Sequence, residues 1–208
     1  MPDEKVIQVN GHGEVEAAPD IAVINLGVLS RESDAQAAMY AASVRMQAIV
    51  ESVRSLGMPS RDIQTSQLNL HLDPHANVYL ANHQVMVRTE DVSRAGPILD
   101  AGIEAGANAS SGIEFSLADQ SEAEDRALEL AVADARRKAE RLAAALGVAI
   151  DGVDRVSASG GSQMMAAVPR MQLFRSIHAP ATPVPVEGGV LRIVADVQVT
   201  YTFRAVSR

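Results

Sequence analysis

Histidines are the side chains in this sequence best suited to bind a transition metal. His71, Asp73 and His75 surround one predicted turn, and His83 lies on the strand that follows it. Imidazole and carboxylate groups on a hairpin could bind zinc or copper. The spacing matches no established ligand motif such as His-Glu-x-x-His, and histidines beside a turn are commonly solvated. A small-molecule or metal-binding module that uses the His71–His75 turn is therefore an alternative interpretation.

A methionine cluster is the second unusual feature. It comprises Met164, Met165 and Met171, within a stretch rich in proline. Methionine side chains make adaptable apolar contacts, and their thioethers bind copper(I) or react with oxidants. The same residues could equally form a loop that packs on a neighbouring subunit. The Met164–Met171 loop joins the His71–His75 turn in the alternative interpretation, and the leading interpretation includes no metal and no cofactor.

The remaining motifs predict no catalytic residue. Residues 11–13 read Gly-His-Gly, but no Gly-x-Gly-x-x-Gly pattern or following helix completes a nucleotide site, so we expect a β-bulge or a close backbone approach. The basic residues 136–138 follow acidic residues on one predicted helix, which is typical of a solvated face. Paired glutamates such as Glu14 and Glu16 have the character of surface groups, and no Gly-x-Ser-x-Gly motif is present. We therefore predict that the protein is not an enzyme.

The composition restricts the possible partners. The 208 residues are 47% hydrophobic and 21% charged, which is typical of a folded protein, and we predict a single domain over residues 1–208. A formal net charge of −8 argues against binding to nucleic acid or anionic lipid. The absence of cysteine excludes disulfides and cysteine-based zinc sites. No apolar run approaches the roughly 20 residues of a membrane-spanning helix.

Periodicity in the sequence predicts an α+β protein of mostly antiparallel sheet with helices packed on one face. Alternating apolar residues predict strands at 6–17, 21–29, 63–72, 79–87, 112–117, 153–159 and 191–203. Apolar residues at helical spacing behind capping motifs predict helices at 33–56, 91–106 and 119–146. The resulting order is ββαββαβαββ, with an irregular Met/Pro-rich loop at about 160–189.

Two strands carry more specific predictions. Residues 21–29 are apolar on both faces, so this strand should be central in its sheet, and a short turn should join it to the first strand as a hairpin. Residues 191–203 alternate strictly, so the odd-numbered positions should be buried.

Three separated segments resemble SIMPL-domain proteins. They are VIQVNGHGEVEAAPDIAVINLGV at 6–28, QVMVRTEDVSRAGPILDAGIEAGAN with SGIEFSLAD at 84–119, and ALELAVADARRKAERLAAALG at 127–147. The resemblance implies an exported bacterial protein of the periplasm or envelope, with an export signal removed from this chain. Relatives in that family include a periplasmic immunogenic protein and an oxidative-stress defence protein, and some members resemble ring-forming oligomers. No catalytic residues are established for the family.

The sequence and the resemblance together predict a homo-oligomer. The two-faced apolar strand at 21–29 and the scarcity of aromatic residues, at 3% of the chain, suggest apolar surface that one subunit does not cover. We therefore expect an envelope protein that assembles with itself, with a ring as one form of the assembly, and contributes to stress protection or envelope organisation.

Overall fold

The computed structural model describes residues 5–158, 163–166 and 186–205. Within these residues the chain folds into two compact units. Unit 1 contains residues 5–18, 119–158, 163–166 and 189–205. Unit 2 contains residues 19–118 and 186–188. That both units belong to one domain stays a prediction.

The predicted fold class is confirmed, with one strand more than the sequence indicated. The strands are β1 (Val6–Ala17), β2 (Ile21–Glu32), β3 (Ile63–Asp73), β4 (Val78–Thr89), β5 (Ala109–Ser116), β6 (Val148–Ala158), β7 (Gln163–Ala166) and β8 (Leu191–Ala205). The helices are α1 (Ala35–Ser55), α2 (Ala95–Glu104) and α3 (Ser121–Leu146). The extra strand, β7, corrects the prediction of an irregular loop at 160–189, because β7 pairs with β8 through backbone hydrogen bonds.

Unit 1 is an antiparallel sheet with α3 on one face. The strands lie in the order β1–β8–β6. Strand β7 pairs with residues 191–194 of β8, ahead of the residues of β8 that pair with β6. The odd-numbered positions of β8 from Leu191 to Tyr201 are buried, as predicted, whereas Phe203 is only half-buried. The buried face of α3 is a row of alanines at every fourth position, namely Ala127, Ala131, Ala135, Ala139 and Ala143.

Two glycines let this alanine row lie directly on β1. A β-carbon placed on Gly11 would lie 2.0 Å from the carbonyl oxygen of Ala131. One placed on Gly13 would lie 1.9 Å from the carbonyl oxygen of Ala127. The register between β1 and β8 is continuous, so the predicted bulge is wrong and the predicted close backbone approach is confirmed.

Unit 2 is a second antiparallel sheet, in the order β3–β4–β2–β5, with α1 and α2 packed on it. Strand β2 is central, as predicted. The core combines one face of β2 and β4 with apolar residues of both helices, including Ile24, Leu26, Val28, Met46, Ile49, Val53, Val85, Val87 and Ile98. Helix α1 begins behind Asp34, whose carboxylate accepts the Ala37 N–H, so its N-terminal cap lies one residue after the predicted start at residue 33.

The predicted hairpin of β1 and β2 is wrong. Strand β1 pairs with β8, and β2 pairs with β4 and β5, so the two strands belong to different sheets. A short turn between two alternating strands usually joins partners. Here β1 packs against the alanine row of α3, whereas β2 is paired with a strand on each side. The two strands therefore lie in different sheets.

Candidate interaction surfaces

The predicted histidine turn forms, but among the described residues its side chains do not converge on a common metal position. Asp73 Oδ1 accepts the backbone N–H groups of His75, at 3.0 Å, and Ala76, at 3.2 Å, so this carboxylate stabilises the turn. His71 lies opposite Leu80, and His83 lies opposite Leu68, which separates the two imidazoles along the hairpin. Within the described residues, no group of three histidine, aspartate or glutamate side chains is placed to hold a metal ion.

The Met164–Met171 loop of the alternative interpretation lies only partly within the described residues. In the backbone register, Met164 of β7 lies opposite Ile193 of β8. Met171 lies outside the described residues, as does most of the loop predicted at 160–189. A metal or small-molecule role for the Met164–Met171 loop therefore stays a prediction.

The Gly-His-Gly segment places His12 on the polar face of the unit 1 sheet. His12 Nδ1 lies 2.9 Å from Asp196 Oδ1, directly across the β1–β8 pair. On the same face, Arg192 Nε lies 2.7 Å from Glu14 Oε1 and Arg192 Nη2 lies 3.6 Å from Glu16 Oε1. All of these side chains are at least one-third exposed, and ion pairs of this kind each contribute about 0–1 kcal/mol. The glutamate pair is thus explained by cross-strand pairing at a solvated surface.

Helix α3 closes the outer edge of β1. The backbone N–H of His12 donates to Asp134 Oδ2 at 3.1 Å, and Lys138 Nζ donates to the backbone carbonyl of Asn10 at 2.9 Å. Lys138 Nζ also lies 2.6 Å from Asp134 Oδ2, and Arg137 forms an ion pair with the same carboxylate. The hydrogen bond from Lys138, followed by that from the His12 N–H, holds the pKa of Asp134 below its usual range. Side chains of α3 thus occupy hydrogen-bonding groups that another strand would otherwise use.

The basic residues at 136–138 have separate roles that the sequence did not distinguish. Lys138 and Arg137 contact Asp134 at the edge of β1. Arg136 projects to the other side of the helix, where its Nε lies 2.9 Å from Glu140 Oε1. Glu140 is one helical turn away, so this pair is a surface i,i+4 ion pair of the predicted solvated kind.

Arg136 and Glu140 border an apolar groove between α3 and β6, termed here the α3–β6 groove. Its volume is about 500 Å³, and it is lined by Val132, Arg136, Glu140, Ile150, Asp151, Gly152, Val153 and Tyr201. Helix α3 packs mainly on β1 and β8 and contacts β6 less. Val153 is 58% exposed and Val156 57% exposed, and both lie opposite buried residues of β8. Among its described residues, unit 1 therefore carries an apolar strip that α3 leaves exposed on the helix-bearing face of the sheet.

Unit 2 carries a second exposed apolar strip, along β3. Leu68, Leu70 and Leu72 are 51%, 41% and 45% exposed. They lie on the helix-bearing face of the sheet, since Leu70 is in register with the buried Ala81. Strand β3 is paired with β4 on one side, and within the described residues no strand pairs with its other side. We call that side, from Gln67 to Asp73, the β3 edge.

Two antiparallel sheets, each with helices packed on it, define an α+β protein. Comparison with known protein families identifies the family to which it belongs. The model of the SIMPL family, described as a protein of unknown function (DUF541), matches residues 7–201. The chain therefore belongs to the SIMPL family, as the three sequence segments predicted.

Two relatives carry names that give a cellular location. The 26 kDa periplasmic immunogenic protein of Brucella melitensis biotype 1 is 28% identical over 212 residues, covering 95% of this chain and 84% of the relative. The protein of the same name from Brucella abortus strain S19 matches with the same identity and coverage. Uncharacterized protein YggE of Edwardsiella ictaluri is 24% identical over 160 residues, covering 72% of this chain and 66% of the relative.

The chain is accordingly a periplasmic protein, as predicted. Among the described residues, none of the helices has both the length and the apolar character required to cross a bilayer.

Proposed function

We propose that this periplasmic protein is a non-enzymatic assembly protein, which associates with itself and thereby helps to organise or protect the cell envelope. The observation that carries the proposal is the α3–β6 groove with the apolar strip beside it. A closed ring is one form that such an assembly can take.

Burial of the apolar side chains that each subunit exposes to water would stabilise the assembly. Leu128, Val132, Val153 and Val156 are between 40% and 58% exposed along the two walls of this strip. Full burial of a valine or leucine side chain stabilises by about 1.5–3 kcal/mol, so covering these four offers roughly 3–6 kcal/mol if half of each remains to be buried. Contiguous apolar patches of this kind are typical of protein interfaces. Arg136, Glu140 and Asp151 supply the polar border that such interfaces usually have.

Strand β2, whose two apolar faces in the sequence predict self-assembly, does not supply the surface for it. Residues 21–28 of β2 are almost wholly buried. The apolar surface on which this proposal rests is instead on α3 and β6. The proposal therefore relies on side chains different from those the sequence suggested.

Analytical ultracentrifugation of the purified chain tests the proposal. At tens of micromolar the wild type should sediment as a species larger than the 22.0 kDa monomer and dissociate on dilution. Val153→Asp should weaken association at least tenfold, because it places a charge in the apolar strip. Ser157→Asp is a matched control, since residue 157 pairs with Gln198 on the opposite face of the same sheet. A wild type that stays monomeric at these concentrations would refute self-assembly.

The cellular part of the proposal needs a separate comparison. A strain lacking this protein, complemented with wild type, Val153→Asp or Ser157→Asp, should be challenged with oxidant and with detergent. Val153→Asp should fail to restore survival at wild-type protein levels, whereas Ser157→Asp should restore it. Equal rescue by both variants would separate the envelope role from assembly through the groove.

A further inference from the structure

We propose that the β3 edge is a seam at which a second copy of this chain adds its own β3, antiparallel and centred on Leu70. The two unit 2 sheets would then form one continuous sheet of eight strands across a two-fold axis. This inference rests on the self-assembly proposed above and names one of the surfaces that assembly uses.

Comparison of the sheet edges favours β3 as the one open to another strand. The β1 edge is occupied by Asp134 and Lys138 of α3. Strand β6 has irregular register at Ile150/Gly152 and at Val153/Arg155, and such bulges interrupt further pairing. Strand β5 has only eight residues and a register shift against β2. From Gln67 to Asp73, by contrast, β3 keeps a regular register with β4 over seven consecutive residues.

Apart from Asp73 at its end, the β3 edge lacks the features that usually protect an exposed strand. Natural edge strands are commonly protected by lysine, other charged side chains, proline or bulges. Residues 67–72 read Gln-Leu-Asn-Leu-His-Leu, without Asp, Glu, Lys, Arg or Pro, and the bulge at Ser66 lies before this segment. Exposed backbone groups next to alternating leucines are the features through which strands add to a sheet.

The same residues are complementary to a second copy of themselves. With Leu70 opposite the partner's Leu70, Leu68 lies opposite the partner's Leu72, and Asn69 lies opposite the partner's His71. All three leucines then meet leucines on one face, while polar groups meet on the other. No like-charged side chains face each other, because Asp73 lies opposite the partner's Gln67. A second copy therefore satisfies both the apolar and the electrostatic pattern of the strand.

The absence of cysteine from this chain allows a direct proximity test. Directly opposed residues of antiparallel strands have Cα atoms about 4.5–5.5 Å apart, within the range that a disulfide bridges. Leu70→Cys should therefore form a covalent dimer under mild oxidation. Ile103→Cys, at a similarly exposed apolar position on α2, is the matched control and should give little dimer. Equal cross-linking of the two variants would overturn the seam.

Charge substitutions test the same register in solution. Leu70→Glu puts two carboxylates at the two-fold axis and should weaken association at least tenfold, whereas Ile103→Glu should leave it unchanged. Leu68→Lys and Leu72→Glu should each weaken association, and the double variant should recover most of it because opposite charges would then face each other. A double variant no better than the singles would overturn the register. Circular dichroism melts of each variant show whether the fold is retained.

The outcomes separate this inference from the proposed function. A monomeric wild type contradicts self-assembly, and the seam with it. A wild-type oligomer that Leu70→Glu leaves intact, with Leu70→Cys giving no covalent dimer, overturns the seam alone. Loss of association in Leu70→Glu together with cross-linking of Leu70→Cys supports both.

Discussion

Gly11 of β1 lies against Ala131 of α3 so closely that a β-carbon on Gly11 would lie 2.0 Å from the carbonyl oxygen of Ala131. The nearest side-chain atom, Ala135 Cβ, would be 2.8 Å away. A helix can approach a strand this closely only where both surfaces carry minimal side chains. The approach also brings Asp134 and Lys138 to the edge of β1, where they contact the backbone of His12 and Asn10. Packing and edge protection in unit 1 thus depend on the same contact.

Gly11→Ala should strongly destabilise unit 1. The new methyl group would meet the backbone oxygen of α3, so the helix would have to move as a whole. Overpacking of this kind typically costs about 1–3 kcal/mol, and we expect the upper end of that range because no flexible side chain can yield. Chemical denaturation of variant and wild type measures the difference.

Gly152→Ala is the matched control for Gly11→Ala. Gly152 lies in β6 of the same sheet, where the nearest atom to an added β-carbon would be Thr202 Oγ1 at 3.8 Å. Its free energy of unfolding should therefore stay within about 0.5 kcal/mol of wild type. Similar stabilities for the two alanine variants would mean that α3 does not depend on the glycines.

Much of the fold could be predicted from local patterns. Strict alternation identified β8 and its buried face, and the apolar character of β2 on both sides indicated a central strand. Pairing could not be predicted in the same way, because the partner of β1 is residues 191–202, more than 170 positions away. The turn after Ala17 suggested a hairpin since local proximity was the only information available.

The interaction surfaces were harder to predict than the core. Leu68, Leu70 and Leu72 alternate just as buried residues do, yet each is more than 40% exposed, and α1 makes few contacts with β3. In the sequence, nothing distinguishes Asp134 from the other charged residues of α3. Its proximity to the His12 N–H depends on how α3 crosses β1, which residue spacing within α3 does not determine.

Val199→Asp should cost several kcal/mol of stability. Val199 is almost completely buried beneath α3, and an unpaired carboxylate there would lose its hydration without gaining a partner. Gln198→Asp, one residue earlier on the solvated face of β8, should change the melting temperature by only a few degrees. A Val199→Asp protein that melts within a degree or two of wild type would contradict the assignment of this face as core.

Asp134→Asn should reduce stability at neutral pH and lose its effect in acid. Hydrogen bonds from Lys138 and the His12 N–H hold the pKa of Asp134 below its usual value of 3.8, so the ionised form stabilises the fold above about pH 4. That contribution is lost as the pH falls through the lowered pKa. Urea unfolding at pH 6 and pH 3 should show the gap between wild type and variant shrinking, with Glu129→Gln on the exposed side of α3 as control. A gap that stays constant would contradict the linkage.

His83 should make the protein less stable as the pH falls below 6.5. Its Nδ1 is buried without a hydrogen-bond partner among the described residues, and burial lowers the pKa of the imidazole from its usual value of 6.5. The unfolded chain then takes up a proton at a higher pH than the folded chain, so the free energy of unfolding falls as the pH falls through 6.5 towards the lowered pKa. His83→Gln removes this proton uptake.

Urea unfolding at pH 7.5 and pH 5.0 measures the effect. Wild type should lose more stability between the two values than His83→Gln, while His75→Gln, in the exposed β3–β4 turn, controls for the loss of one imidazole. Nuclear magnetic resonance gives an independent measure, because the His83 ring signals should titrate below pH 6.5 in the folded protein. Equal losses in wild type and His83→Gln, with His83 titrating at or above 6.5, would show that this ring is solvated in the folded protein.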